Sequence, residues 1–479
     1  MARLSQRIRS FIDIAYAQVQ KHAWLKRLAV RVLMAFPGLG GRILAQVGVP
    51  AHVRAGSAAD DGPFDPNARA RYLRYGYRAL LAGVDPAAQP RHQLLVDVSG
   101  LLQRDAGTGI QRVVRNLTRA LAELDLPDWR VEPIQVSRGR FRYARQYSTR
   151  AWQLPNMRLE DEPVEIAPGD VFFTADLALL PIRDMRRPLR AWRRQGVAVH
   201  FVLHDLIPVL HPEFYQGVVD PRFARWLDIV LEVADSIQCV SRAVSDDLRH
   251  WLATQPRVPR PDGGPQIGWF HLGARLEQAR VAPEDLEAVM CTAAARHAWL
   301  LAPEEPVFLM VGTLEPRKGH EQVLDAMERL WEEGARVHLL IIGKTGWNVS
   351  ALVDRLRRHP EAGHRLHWLE GASDAELQLA YRHCKALIAA SYAEGFGLPL
   401  IEAAQHGLPI IARDLPVFRE VAGAYAWYFR ADEPGALARA LREWLALDAQ
   451  GRAPGSAGMP WLTWTESAAM LARAILPPG

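Results

Sequence analysis

The chain has 479 residues, of which 49% are hydrophobic and 23% are charged, the ordinary composition of a globular protein. Its 58 basic and 53 acidic residues give a net charge of +5, and residues 1–50 hold the excess, so the charge gives no argument for nucleic-acid binding. This length exceeds what one hydrophobic core normally serves, and we expect two domains with extensions. The scattered cysteines Cys239, Cys291 and Cys384 have no metal-binding spacing and indicate a reduced, cytosolic setting.

The first segment, residues 1–66, is predicted to be a basic helical extension followed by a linker. Apolar residues recur at helical spacing through residue 46, among eight basic residues and one acidic residue. Such a helix can lie on an anionic membrane surface, or it can pack on the protein's own body, and the sequence leaves both open. Basic residues interrupt it throughout, as they would not in a signal peptide, and the chain has no apolar run of 18 residues.

Residues 67–285 are predicted to form a Rossmann-like domain. Continuous apolar runs alternate with helical patterns, which favours a parallel sheet covered on both faces. A glycine-containing stretch, DAGTGIQR at 105–112, follows the first strand and leads into a helix near Ile110. The predicted strands are 93–98, 170–174, 198–203, 236–240 and 266–271.

A second alternating series makes residues 286–460 a second Rossmann-like domain, and residues 461–479 are predicted to hold a closing helix. Two such α/β domains should face each other across a central cleft, with ligands bound at the carboxyl ends of the strands. The predicted strands are 307–312, 337–343, 366–369, 386–391, 409–412 and 426–429.

Two cations follow the first strand of this second series. In VGTLEPRKGHEQVLDAM, Arg317 and Lys318 stand just before an amphipathic helix. Cations beside a helix N-terminus suit a diphosphate, although a solvated charged loop would look the same in isolation.

The stretch EGFGLPLIEAAQHG, from Glu394 to Gly407, follows the strand at 386–391. Glycines and a proline predict a loop and then a helix over Pro399–His406, with Glu402 near its first turn. The backbone N–H groups at the helix start favour an anion, which glutamates would repel. The two glutamates should therefore reach past the anion to hydroxyl groups, as a sugar nucleotide would require.

Together, GTLEPRKG and EGFGLPLIE resemble the retaining glycosyltransferases of family 4, which have the GT-B fold, over roughly Gln93–Ile475. The resemblance implies that Arg317 and Lys318 bind the donor diphosphate, Glu394 holds the transferred sugar and Glu402 holds the ribose. His204, in HDLIP, would line the transferred sugar, although a core-edge histidine is the alternative. The further donor-binding residues that the resemblance implies are Gly107, Gly109, Gly312, Gly343, Lys344, Gly395, Phe396, Gly397 and Leu398.

The resemblance implies a hexosyltransferase of bacterial surface polysaccharide synthesis, cytoplasmic or peripheral on the inner membrane face. GDP-mannose is the first choice of donor and a UDP-hexose the second, with a saccharide or lipid-linked saccharide as acceptor. No D-x-D triplet occurs, so neither a metal nor another cofactor is expected. The alternatives are a GT-B epimerase or phosphorylase, or an inactive binding protein.

Three further features are expected to be structural. Ser241 should cap a helix, and His271 should pack at a domain edge. The arginine-rich stretch RDMRRPLRAWRR at 183–194 should be a solvated helix face, with contact to anionic lipid or an acidic acceptor as the alternative.

The charge of residues 1–46 generates a testable prediction. Each cation near an anionic surface adds about 1 kcal/mol of attraction, screened by salt. We expect the full chain to sediment with anionic but not neutral vesicles and to be released by high salt. Deleting residues 1–46 should abolish this binding and leave nucleotide affinity unchanged. A truncated chain that still binds vesicles, or fails to fold, would show that the segment belongs to the body of the protein.

Overall fold

A computed structural model of the protein describes residues 64–81, 89–103, 108–177, 179, 181–215, 221–255, 263–274, 300, 305–431, 433 and 435–477. The predicted extension at 1–46, most of the linker, and Gly107 lie outside the described residues. Within these ranges, no helix is both long and apolar enough to cross a membrane.

The first sheet has seven strands among the described residues, in the order β3-β2-β1-β4-β5-β6-β7. The five predicted strands are present and pair in parallel. Its strands are β1 (His92–Asp97), β2 (Trp129–Ser137), β3 (Arg140–Tyr143), β4 (Val171–Thr174), β5 (Ala198–Leu203), β6 (Ser236–Cys239) and β7 (Gln266–Trp269).

Strands β2 and β3 are absent from the sequence prediction, and β3 runs antiparallel to β2, so the sheet is not wholly parallel. The stretch WRVEPIQVS of β2 interrupts its apolar residues with Glu132 and Pro133, which argue against a buried strand. Glu132 is nevertheless fully buried, with Arg130 Nε 3.4 Å from its carboxylate. The Pro133 carbonyl accepts a hydrogen bond from the Ala144 amide, 2.8 Å away.

The second sheet has six strands in the described residues, all parallel, in the order β10-β9-β8-β11-β12-β13. All six were predicted, two of them with the same end points and the others with end points that differ by at most two residues. They are β8 (Val307–Val311), β9 (His338–Ile342), β10 (Leu366–Leu369), β11 (Ala386–Ala389), β12 (Ile410–Arg413) and β13 (Ala426–Phe429).

Helices cover both sheets. The first domain carries α1 (Pro66–Tyr75), α2 (Ser99–Gln103), α3 (Gly109–Glu123), α4 (Arg145–Ala151), α5 (Ile182–Arg194), α6 (Ile207–Leu210), α7 (Pro221–Val233) and α8 (Arg242–Thr254). The second carries α9 (His320–Glu332), α10 (Ser350–Arg358), α11 (Asp374–His383), α12 (Leu398–Gln405), α13 (Pro416–Ala422) and α14 (Ala436–Ala449). The last helix, α15 (Trp464–Ile475), returns to pack against α3 of the first domain.

The strand order explains which loops meet. Strands β8 and β11 are adjacent and parallel, so the loops after them, which carry Arg317 and Glu394, emerge side by side. In the first sheet β4 and β5 are neighbours, which brings Ala175 beside His204. The carboxyl edge of each sheet therefore collects residues that are distant in sequence.

The two carboxyl edges touch at Gly395. A Cβ atom built on this glycine would lie 1.8 Å from the carbonyl oxygen of His204, in the first domain. The Gly395 carbonyl in turn accepts a hydrogen bond from the Ser241 hydroxyl, 2.8 Å away. Since glycine alone lacks a Cβ, only glycine at position 395 permits this approach.

A second contact between the domains is made by Glu420 of α13. Its carboxylate accepts the amide N–H groups of Arg242 (2.7 Å) and Ala243 (2.8 Å), in the first turn of α8. It also accepts a hydrogen bond from His271 Nε2, 2.7 Å away. Ser241 caps this helix as expected, by accepting from the Val244 amide. Negative charge at a helix N-terminus is stabilising, so the Glu420 contact favours the arrangement in which the two domains touch.

Gly395→Ala should prevent the two domains from closing. Non-bonded carbon and oxygen atoms need roughly 3.5 Å, so the added methyl group must push His204 away. We expect faster hydrogen–deuterium exchange at the amides of Arg242 and Ala243, because their acceptor Glu420 is carried off with the second domain. Gly455→Ala is the control, since a Cβ built there meets no atom within 4 Å. Unchanged exchange in Gly395→Ala, with an intact circular dichroism spectrum, would contradict the assigned contact.

Candidate functional site

Three charged side chains converge at the carboxyl ends of β8 and β11. Arg317 and Lys318 occupy a short 3₁₀ turn, Pro316–Lys318, and both contact the carboxylate of Glu394. Arg317 Nη1 lies 3.0 Å from Glu394 Oε2, and Lys318 Nζ pairs with Oε1. The Ser391 hydroxyl donates to Oε1 from 3.0 Å. The three charged side chains are only 11–15% exposed, so water screens them poorly.

Opposite charges nearby keep Glu394 and Arg317 in their charged forms. Burial raises the pKa of Glu394, but the charges of Lys318 and Arg317 outweigh burial and bring that pKa down to about 2. Burial lowers the pKa of Arg317, and the carboxylates of Glu394 and Glu315 more than offset it, so the pKa rises. At neutral pH the site therefore holds two fixed cations that an anionic ligand would share with carboxylates.

The glycine loop after β11 leads directly into α12. Gly397 has φ 96° at the N-cap position, and a Cβ there would lie 2.8 Å from the Phe418 ring. The helix begins at Leu398, one residue earlier than predicted, so Pro399 is its second residue. Phe396, Gly397 and Leu398 thus stand at the N-terminus of a helix of eight residues, whose partial positive charge is directed toward the loop.

Glu402 is the fifth residue of α12, just past its first turn and so near it as predicted, and only 3% of it is exposed. The Tyr381 hydroxyl donates to Oε2 from 2.7 Å. Arg112 Nη1, from the first domain, lies 2.6 Å from Oε1. The sequence prediction missed both partners, although Arg112 belongs to the GTGIQR stretch that was singled out for its glycines.

The first domain contributes His204 at the end of β5. Its Nε2 donates to the carbonyl of Ala175, 2.7 Å away, which fixes the tautomer. Burial lowers the pKa of His204, so the imidazole is neutral at pH 7. Gly109 is the first residue of α3, whose N-cap Thr108 accepts from the Gln111 amide. The hydrogen bond to Ala175 agrees with the alternative interpretation, that His204 is a core-edge histidine. That His204 lines the transferred sugar stays a prediction.

Gly312, Gly343 and Lys344 lie where β8 and β9 end. A Cβ on Gly343 would be 1.8 Å from the Gly312 carbonyl oxygen, and the Leu314 amide donates to the Lys344 carbonyl at 2.9 Å. Trp368 Nε1 donates to the Gly343 carbonyl at 2.9 Å, and its ring packs against the core of the second domain. The two loops therefore form one wall at the sheet edge.

An aromatic seam that the sequence prediction missed crosses between the domains. Tyr215 stacks on Trp347 with ring centroids 4.4 Å apart and planes 21° apart. Phe214 contacts Tyr392, with ring centroids 6.0 Å apart. Phe214 and Tyr215 lie in a 3₁₀ turn, Pro212–Tyr215, and their partners lie in loops of the other domain, so spacing along the chain carries no signal.

The arginine-rich stretch forms α5, as a solvated helix face would. Arg186 and Arg190 pair with Glu232 of α7, and Arg193 pairs with Asp235. The same surface carries four further basic residues, Arg183, Arg187, Arg194 and Arg225. It includes a groove lined by Arg183, Arg186, Arg187, Arg190 and Arg225. These ion pairs are partly exposed and contribute little to stability.

Comparison with known proteins connects this geometry to a family. Residues 292–458, which include both motifs of the second domain, match the family described as Glycosyl transferases group 1. The chain is similar to the serotype-specific mannosyltransferase WbdA of Escherichia coli, with 40% identity over 385 residues. That match covers 80% of this chain and 44% of WbdA, so the chain spans less than half the length of the curated relative.

Solved structures share the fold. Sucrose-phosphate synthase of Thermosynechococcus elongatus superposes with a TM-score of 0.51 and 19% identity, over 81% of this chain and 95% of that one. HepE of Anabaena, solved in complex with UDP and glucose, superposes with a TM-score of 0.50 and 14% identity, over 80% of this chain and 95% of that one. The sheets and these superpositions show a GT-B architecture, and residues 292–458 of the chain carry a domain of the Glycosyl transferases group 1 family.

Proposed function

We propose that the chain transfers mannose from GDP-mannose to a hydroxyl of a saccharide or lipid-linked saccharide, with retention of anomeric configuration, in bacterial surface polysaccharide synthesis. The observation that carries the proposal is the convergence of Arg317, Lys318 and Glu394 beside the N-terminus of α12. Similarity to a mannosyltransferase over 80% of the chain supports mannose as the transferred sugar. In this proposal the enzyme acts in the cytoplasm, on soluble or membrane-carried acceptors.

The proposed chemistry depends on charge at the leaving group. As the bond from the anomeric carbon to the diphosphate oxygen breaks, negative charge grows on the diphosphate. Arg317 and Lys318 are fixed by Glu394 before the donor arrives, so they stabilise this charge with little reorganisation. The N–H groups at the start of α12 add to the same field.

Retention follows if the acceptor attacks from the face that the diphosphate leaves. The acceptor oxygen then forms a bond to the anomeric carbon while the carbon–phosphate oxygen bond breaks. The acceptor proton passes to an oxygen of the departing diphosphate, so no protein base is required. Glu394 would hold hydroxyls of the mannose, and His204, a neutral imidazole, would lie beside them.

The donor assignment predicts a pattern of nucleotide binding and turnover. A ligand that binds only the folded state raises the melting temperature, so GDP should stabilise the chain more than UDP, ADP or dTDP. Arg317→Ala and Lys318→Ala should each lower mannosyl transfer about 10²–10³-fold, as expected on losing a contact to transition-state charge. A melting temperature that only UDP raises would overturn GDP-mannose as the donor. Near-normal turnover in both variants would overturn the assignment of Arg317 and Lys318 to the diphosphate.

The same assay tests the proposed independence from metal. Activity should survive EDTA, because the fixed cations and helix N–H groups neutralise the diphosphate. Complete inhibition that Mg²⁺ reverses would contradict that part of the proposal.

The two glutamates should separate in binding experiments. Glu402→Gln should weaken binding of free GDP, because Glu402 is proposed to hold the ribose. Glu394→Gln should not weaken free GDP binding, because the diphosphate competes with Glu394 for Arg317 and Lys318, and it should impair transfer, because its proposed partners are on the sugar. Calorimetry with GDP measures the first effect and steady-state kinetics the second. Equal losses of GDP affinity in the two variants would show that the roles are wrongly divided.

A further inference from the structure

Arg112 reaches from the first domain into the second at one point, the carboxylate of Glu402. It is the fourth residue of α3, which begins at the second glycine of the GTG stretch. Its Nη1 lies 2.6 Å from Glu402 Oε1, across 290 residues of sequence. The Tyr381 hydroxyl, from the second domain, donates a hydrogen bond to the other carboxylate oxygen, 2.7 Å away.

A buried carboxylate is costly unless a cation accompanies it. Only 4% of the Glu402 side chain is exposed, against 31% of the Arg112 side chain. Tyr381 supplies a hydrogen bond but no charge, so the neutralising cation comes from the opposite domain. Burial lowers the pKa of Arg112, and the charge of Glu402 raises it above the usual value.

The start of α3 holds Arg112 in place. Thr108 and Gln111 form a capping box that satisfies the first N–H groups of the helix. Val113, Val114 and Leu117 are buried and anchor the helix to the first domain. The capping box and these buried side chains therefore fix where α3 presents Arg112 to the second domain.

The pairing leaves lone pairs of the Glu402 carboxylate without a described hydrogen-bond donor. An ionised carboxylate has about four acceptor sites, and Arg112 and Tyr381 occupy one on each oxygen. The remaining lone pairs suit the two adjacent hydroxyls of a ribose, which both donate.

We propose that Arg112 is a positioning residue for the donor: it completes the ribose-binding carboxylate of Glu402 when the domains close, and so couples nucleotide recognition to closure. This inference rests on the proposed function, in which Glu402 holds the ribose. The rival arrangement is competition, in which Arg112 blocks Glu402 and must leave before the ribose binds.

The test compares GDP with 2′-deoxy-GDP by calorimetry in Arg112→Ala, Arg112→Lys and the unaltered chain. Arg112→Ala should weaken GDP binding about tenfold, as expected on losing a charge-assisted contact. It should weaken 2′-deoxy-GDP binding less, because that nucleotide offers Glu402 only the 3′-hydroxyl, so the preference for the ribose 2′-hydroxyl falls. Arg112→Lys should restore part of that preference, which a loss of folding or of helix packing would not explain.

Arg119→Ala is the matched control, because Arg119 lies two turns along α3 and pairs with Glu123 of the same helix, 2.9 Å away. It should bind both nucleotides as the unaltered chain does. An unchanged GDP to 2′-deoxy-GDP preference in Arg112→Ala would overturn the proposal, and tighter GDP binding would establish competition instead. If the unaltered chain does not bind GDP, the donor assignment has failed, and UDP with 2′-deoxy-UDP gives the same test of Arg112.

Discussion

The carboxylate of Glu394 is buried and charged, and the site depends on the cations that make this possible. Without Arg317 and Lys318 the carboxylate would be protonated or exposed, because an isolated buried charge is too costly. With them its pKa falls to about 2, and both cations are held at the edge of the sheet. The adjacency of β8 and β11 brings the three residues together, so the strand order of the second domain places the charges.

Beside the aromatic pairs, three of the described contacts between the domains are polar and involve few residues. The Gly395 carbonyl, the Glu420 carboxylate and the Glu402 carboxylate each meet a donor from the first domain. Hydrogen bonds of this kind exchange readily with water, so opening costs less than separating a hydrophobic core. Under the proposed function, such an arrangement would help a transferase to admit two substrates and release two products.

The sequence predicted much of this structure because parallel strands buried on both faces are continuous apolar runs. All six strands of the second sheet follow that pattern. Strand β2 does not, because Glu132 is buried by pairing with Arg130 and Arg145 rather than by being apolar. An ion pair formed by folding leaves no periodic signal, which is why β2 was missed.

The residues of the site also divide into those that the sequence predicted and those that it missed. Arg317, Lys318, Glu394 and Glu402 lie in short motifs next to strands and helices, where local spacing indicates their chemistry. Their partners in the first domain could not be inferred in this way. Arg112 meets Glu402, and Tyr215 meets Trp347, only because α15 and the interdomain contacts bring two separate sheets together.

The partners already present at the charged site constrain how a donor would bind under the proposed function. A diphosphate at Arg317 and Lys318 competes with Glu394 for the same cations. When a diphosphate binds Arg317 and Lys318, these cations stabilise the Glu394 carboxylate less. Hydrogen bonds from hydroxyl groups of the sugar can make up for that loss. A bare nucleotide would compete for the cations but would offer no sugar hydroxyls to Glu394. A free sugar would offer hydroxyls to Glu394 but would not compete for the cations. The site is therefore best satisfied by a ligand that carries a diphosphate and a sugar together, and discrimination arises from the exchange of partners rather than from the depth of a pocket.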